Sequence, residues 1–144
     1  PHDWMMLTGG AIGQGMPLAT GAAVACPDRP VLNLLADGSA MYPIQSLWTQ
    51  AREDLNVTTV LLNNQSYAVL NLELKAVGAA ADGAKALSML DLRRPDLDFV
   101  SISHGMGVPA VRVDTADGLS RELERAYAEP GPHLIEAMIP SIVR

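Results

Sequence analysis

The sequence predicts an α/β domain built on a mostly parallel sheet flanked by helices on both faces. Two observations predict it. Short apolar runs alternate with helix-like segments along all 144 residues. Two of those runs stop abruptly on polar side chains, Asp37 in "LLADGSAMY" and Asn63-Asn64 in "LLNNQSY". Ligands of parallel α/β sheets bind beyond the carboxyl ends of the strands, so those two stops are where function is expected.

The elements follow in order. Gly15–Ala25, "GMPLATGAAVA", is a small-residue helix able to pack close to a sheet. Val31–Ala36 is a strand whose largely apolar run predicts burial on both faces. Residues 43–54 read as a helix with Pro43 near its first position. Ile44, Leu47, Trp48 and Ala51 then share one face. Residues 58–63, 110–114 and 134–138 read as further strands, short, apolar and bounded by turn residues. Leu119, Leu123, Ala126 and Tyr127 mark a later helix that Thr115 is placed to cap. Residues 78–96, rich in Ala, Gly and charge, are the least periodic and read as a mobile excursion with a short helix.

Bulk properties narrow the function. The length is that of one domain, 1–144, large enough for its own core. A net charge of −6 argues against nucleic acid and acidic membranes as partners. No run approaches the ~18 apolar residues of a membrane span. The single cysteine, Cys26, excludes an internal disulfide and fits a reducing, cytoplasmic compartment. The first residues carry no basic stretch of a signal peptide, and Pro1 is no initiator methionine. A fragment, a processed piece or the ordered part of a longer protein is the expectation.

The two strand ends converge by topology. The helix between them makes one right-handed βαβ unit, which sets the strands parallel with their carboxyl ends at one edge. Asp37 and Asn64 can then face a common point. A carboxylate and an amide oxygen are hard donors of the kind Mg²⁺ takes alongside phosphate oxygens and water. Gly38 and Ser39 add exposed backbone N–H groups and a hydroxyl at a turn into a helix, a reasonable cradle for phosphate. Either stretch alone is more often an ordinary turn; the pairing is what carries weight. A third stretch, "TGGAIGQGMP", places Gly10, Gly13 and Gly15 as G-x-x-G-x-G, which is not the dinucleotide fingerprint. It suits a backbone that must approach a flat ligand closely, with Ile12 as an apolar wedge.

Taken together, these residues resemble the thiamine-diphosphate-dependent enzymes. Their motif is G-D-G, a spacer, then N-N; here Asp37-Gly38-Ser39 precedes Asn63-Asn64, and Gly10-Ala11-Ile12-Gly13 stands where the family carries its pyrimidine-binding loop. The resemblance runs from "WMMLTGG" to "GPHLIEAMI". It is to the C-terminal diphosphate-binding domain of enzymes such as the acetolactate synthase large subunit and benzoylformate decarboxylase.

The resemblance implies that Asp37 and Asn64 bind Mg²⁺ through side-chain oxygens and Ser66 through its backbone carbonyl. It implies that Gly38 and Ser39 contact the diphosphate, and that the Gly10 carbonyl accepts a hydrogen bond from the pyrimidine amino group. Ala11 belongs to the same loop, and Ile12 holds the bent cofactor. Tyr67, Val69 and Leu70 line the mouth of the pocket. The chemistry then belongs to thiamine diphosphate acting on a 2-keto acid, ending in an aldehyde or a new carbon–carbon bond.

Two departures from the pattern stand out. Ala36 replaces the first glycine of G-D-G, a small change if φ is negative there. The family's catalytic glutamate comes from an N-terminal pyrimidine-binding domain, of the same or a partner chain, and no glutamate here sits in a matching motif. No catalytic residue is therefore expected in this chain; Gly10 and Ile12 position the cofactor, and the chain alone should not turn over. The resemblance implies a homodimer or homotetramer and leaves open FAD in the intact enzyme. It also leaves open a decarboxylating lyase rather than a carboligating transferase, a split-enzyme subunit, and a non-catalytic interaction module.

Other residues favour structural readings. His2, His104 and His133 lack ligand spacing, and His133 reads as an edge residue before a strand. Cys26 and Met5, Met6, Met16 and Met41 read as packing, and Trp48 as core or a domain contact. Arg93-Arg94 reads as a solvated pair, with an anionic substrate group as the alternative.

Overall fold

A computed structural model describes residues 1–78 and 83–141. Four strands, β1 (Val31–Ala36), β2 (Val57–Asn63), β3 (Ala110–Val113) and β4 (His133–Met138), form one sheet in the order β1-β2-β4-β3. Every neighbouring pair is parallel. The seven helices of the described residues are α1 (Gly15–Ala25), α2 (Asp37–Ala40), α3 (Ser46–Arg52), α4 (Ala68–Ala76), α5 (Ala84–Ser88), α6 (Phe99–Gly105) and α7 (Ala116–Ala128). The α/β class and the parallel sheet are as the sequence predicts.

The handedness of the crossovers distributes the helices. The steps from β1 to β2 and from β2 to β3 run the same way across the sheet, and the step from β3 back to β4 reverses. Right-handed connections therefore put the first two crossovers on one face and α7 on the other. The packing agrees. Met16 of α1, Leu47 of α3 and Phe99 of α6 join Leu35, Leu61 and Leu134 in the main core. Ala19 and Ala23 of α1 close on Val57. The small residues of α1 are needed for this approach: a Cβ on Gly15 would lie 2.9 Å from Leu35 Cδ1.

Several expectations need correction. β1 is not buried on both faces: Leu32 and Leu34 are 43% and 50% exposed, because α7 packs chiefly on β2, β3 and β4. The helix expected over 43–54 begins as turns and becomes α-helical only at Ser46. Leu47 is its buried anchor, whereas Trp48 is 54% exposed, its ring covered by the Arg52 guanidinium at 4.8 Å. Trp48 is thus not core within this chain. His133 is the first residue of β4, an inner strand, and contacts the Glu129 carbonyl oxygen through Nε2 at 2.8 Å. Thr115 does cap α7, its hydroxyl accepting from the Gly118 N–H at 3.1 Å.

The short helix expected within 78–96 is α5; residues 79–82 of that stretch lie outside the described residues. The far end of the stretch is tied down rather than loose. Tyr67 N–H donates to the Leu90 carbonyl and Leu92 N–H to the Gln65 carbonyl, both at 3.0 Å. Arg93 is engaged by Asp91 through two guanidinium contacts of 2.7 and 3.0 Å. Among the described residues no helix is long and apolar enough to cross a membrane.

Candidate functional site

β1 and β2 end side by side, with Ala36 paired to Leu62. The chain leaves β1 through Ala36 at φ −81° and ψ 152°, an extended conformation in which a methyl group carries no strain. It then turns sharply through α2. That turn draws Asp37 inward, to 2% exposure. Asp37 Oδ1 accepts the N–H of Gly38 at 2.8 Å. Asp37 Oδ2 is buried without a partner. Burial pushes the Asp37 carboxyl above its ordinary value, and the backbone N–H groups of Gly38, Gln65, Ser66 and Asn64 pull the other way. Asp37 is thus buried where β1 ends, beside the end of β2.

The second strand end is shaped by two successive side-chain turns. Asn63 Oδ1 accepts the Gln65 N–H at 2.9 Å, and Asn64 Oδ1 accepts the Ser66 N–H at 3.0 Å. Asparagine favours such turns because its amide imitates a backbone carbonyl. Gln65 takes φ +58°, rare for a residue with a side chain. Ser66 is held from outside by Asn71 Nδ2 at 3.2 Å and by its own hydroxyl donating to the Leu90 carbonyl at 3.3 Å.

Tyr67 then lies across Gly38. A Cβ on Gly38 would stand 2.6 Å from Tyr67 Cδ1, so only glycine fits beneath the ring. Gly38 is also buried, with its N–H committed to Asp37. The exposed N–H expected at residue 38 is not found; Ser39, half-buried, is the more open of the two.

Gly10, Ala11 and Ile12 form an exposed loop before α1. Gly10 and Gly13 take φ +71° and +88°, which glycine alone adopts freely. Ile12 is 52% exposed. Ala11, Ile12, Ala36 and Ser39 line one open groove of about 1060 Å³, whose apolar wall continues over Leu32 and Leu34. The loop thus shares a groove with the β1 end. Val69 and Leu70 of α4 are 62% and 41% exposed and do not line that groove.

One buried cluster beside this site is absent from the sequence reading. Glu136 of β4 is fully buried; Asn63 Nδ2 donates to its Oε1 at 2.6 Å and Arg112 Nε to its Oε2 at 2.7 Å. The signal was present: a lone glutamate in "HLIEAM" and a lone arginine in "AVRV" interrupt two apolar strands, and buried charges pair.

Residues 1–137 match the family described as "Thiamine pyrophosphate enzyme, C-terminal TPP binding domain". The chain belongs to this family. It is 61% identical over 143 residues to the Mycobacterium tuberculosis protein named "Putative acetolactate synthase large subunit IlvX", covering 99% of this chain and 28% of that protein. It is 34% identical over 145 residues to benzoylformate decarboxylase of Pseudomonas aeruginosa, covering 99% and 26%. Among solved structures, the Rhodococcus jostii RHA1 thiamine diphosphate-dependent 4-hydroxybenzoylformate decarboxylase superposes with a TM-score of 0.80 at 36% identity, over 90% of this chain and 23% of that one. The chain spans about a quarter of the length of these relatives. As a member of this family it is a thiamine-pyrophosphate-binding domain.

Proposed function

We propose that the joined ends of β1 and β2 hold thiamine diphosphate through Mg²⁺, and that the chain is the cofactor-binding part of an acetolactate-synthase-like enzyme acting on 2-keto acids. One observation carries this reading: Asp37 Oδ2 is a buried acceptor with no partner. Buried polar atoms without partners are rare and costly, and a cation bound at that oxygen removes the cost. Among the described residues no three His, Cys, Asp or Glu side chains gather. The available donors are then one carboxylate, the Asn64 amide oxygen and the Ser66 carbonyl, a hard oxygen set that suits Mg²⁺ and not zinc. Asn64 Oδ1 uses one lone pair on the Ser66 N–H and keeps a second.

In this reading Ser39 and the Gly38 turn face the diphosphate, and Tyr67 packs against that turn. Gly10 and Ala11 would contact the pyrimidine, and Ile12 would support the cofactor from the same loop. The bound cofactor supplies an electron sink for decarboxylation of a 2-keto acid. This chain's residues bind and orient; they move no proton. Of its glutamates, Glu136 alone is buried, and it is occupied by Asn63 and Arg112. The proton-transferring glutamate is assigned to an N-terminal pyrimidine-binding domain, of the same chain or a partner, in a cytoplasmic homodimer or homotetramer.

The test is calorimetry of thiamine diphosphate binding to the native assembly, with Mg²⁺ and with EDTA, for wild type and Asp37→Ala. Binding that needs Mg²⁺ and is lost in Asp37→Ala is expected; equal binding in the variant would remove the ligand assignment. A benzoylformate-decarboxylase-like lyase is the second reading, favoured by the 36% identical Rhodococcus jostii structure. Product analysis separates the two: a 2-hydroxy-2-methyl-3-keto acid from pyruvate supports the first, and an aldehyde alone the second.

A further inference from the structure

We propose that Glu136, backed by Arg112, is a positioning residue that sets the geometry of the Asn64–Ser66 cofactor loop through Asn63. This rests on the cofactor site proposed above. β-Strand pairing aligns the three side chains. Arg112 pairs with Glu136, and Glu136 with Leu61, two residues before Asn63. Residues two apart on a strand share a face, so all three side chains project from the same side of the sheet.

A continuous relay results. Arg112 Nε donates to Glu136 Oε2 at 2.7 Å, Asn63 Nδ2 to Glu136 Oε1 at 2.6 Å, and the Gln65 N–H to Asn63 Oδ1 at 2.9 Å. Each end of the Asn63 amide is thereby fixed. Its orientation is also fixed, because only the NH₂ end can face a carboxylate. The oxygen end is left to hold Gln65 at its unfavourable φ of +58°. The chain leaves Asn63, so fixed, directly into the loop that carries the Asn64 amide, whose Oδ1 accepts the Ser66 N–H at 3.0 Å.

Glu136 touches neither Asp37 nor Asn64 in this network, so its role is to hold the loop and not to bind. Partners one shell out from a metal ligand commonly change affinity by roughly 10–100-fold when removed.

The test compares Kd for thiamine diphosphate with Mg²⁺, by calorimetry on the native assembly, with the thermal midpoint of the cofactor-free protein. Glu136→Gln and Asn63→Ala should each weaken Kd by roughly 10–100-fold, and the double variant should be no weaker than the worse single one. Ser103→Ala is the stability control: it removes a buried hydroxyl bonded to the Val108 carbonyl, away from the loop, and should lower the midpoint without moving Kd. If Glu136→Gln does not fold, Arg112→Gln takes its place, since Arg112 is partly exposed; a weakened Kd is again expected. An unchanged Kd in these variants, with binding lost in Asp37→Ala, would overturn the positioning role alone. A Ser103→Ala variant that weakens Kd as much would reduce Glu136 to a general stability effect. Wild-type binding in Asp37→Ala would instead overturn the cofactor site beneath it.

Discussion

Asp37, at the start of α2, and Glu136, in β4, are 2% and 0% exposed, yet their oxygens are treated differently. Glu136 meets Asn63 at one oxygen and Arg112 at the other. Asp37 spends one oxygen on its neighbour's N–H and leaves the other bare. A paired buried charge is part of the framework, and removing either partner strands the other. An unpaired one is a standing cost that a ligand relieves. In the proposed reading, the contrast separates a carboxylate that builds the site from one that receives an occupant.

The largest effect should come from removing the bare oxygen. Asp37→Ala should abolish Mg²⁺-dependent cofactor binding, exceeding the roughly 10–100-fold cost of losing an outer partner; calorimetry checks it. Breaking the paired carboxylate should instead show in stability. Arg112→Met removes the counter-charge of Glu136, and denaturant unfolding should report a loss of about 2–3 kcal/mol. That falls short of the roughly 3–5 kcal/mol of a fully buried pair, because Arg112 is 44% exposed and water can replace it.

Gly38→Ala drives a methyl into the Tyr67 ring and should cost about 1–3 kcal/mol. Adding Tyr67→Ala should reduce the penalty of the alanine at 38, measured as a coupling between the two changes.

The pH dependence sharpens the contrast further. The carboxyl of Asp37 is raised in the fold, so folding of the cofactor-free protein is penalised above the folded value. The penalty fades as pH falls toward the unfolded carboxylate range near ~3.9. Asp37→Asn should therefore stabilise the cofactor-free protein at neutral pH, and the gap in thermal midpoint should close on acidification. The smallest effect belongs to the Arg93–Asp91 pair: Arg93→Ala should leave the midpoint nearly unchanged, since the arginine is 64% exposed and solvent screens it.

Much of this contrast was legible from sequence on one side only. Asp37 and Asn64 could be placed together because each ends an apolar run and one right-handed crossover joins the runs. Glu136 could not be joined to Asn63, because that needs the strand order and register of β2 and β4, and 73 positions separate the pair. α6 carried a readable cap, Asp98 accepting from Ser101, that composition around it obscured. α4 carried little signal, since Ala68 alone of its residues is buried and no apolar stripe is required. The exposure of Leu32 and Leu34 was illegible for the opposite reason: their run reads as doubly buried, and nothing local says that α7 packs chiefly on the other three strands.

The most direct test of the contrast is the heat of thiamine diphosphate binding to the native assembly, first with Mg²⁺ and then with EDTA, in wild type and Asp37→Asn. The expected result is binding in wild type that EDTA abolishes and that Asp37→Asn lacks. Binding of the same strength in EDTA, or in Asp37→Asn with Mg²⁺, would contradict the assignment of the bare oxygen to a cation.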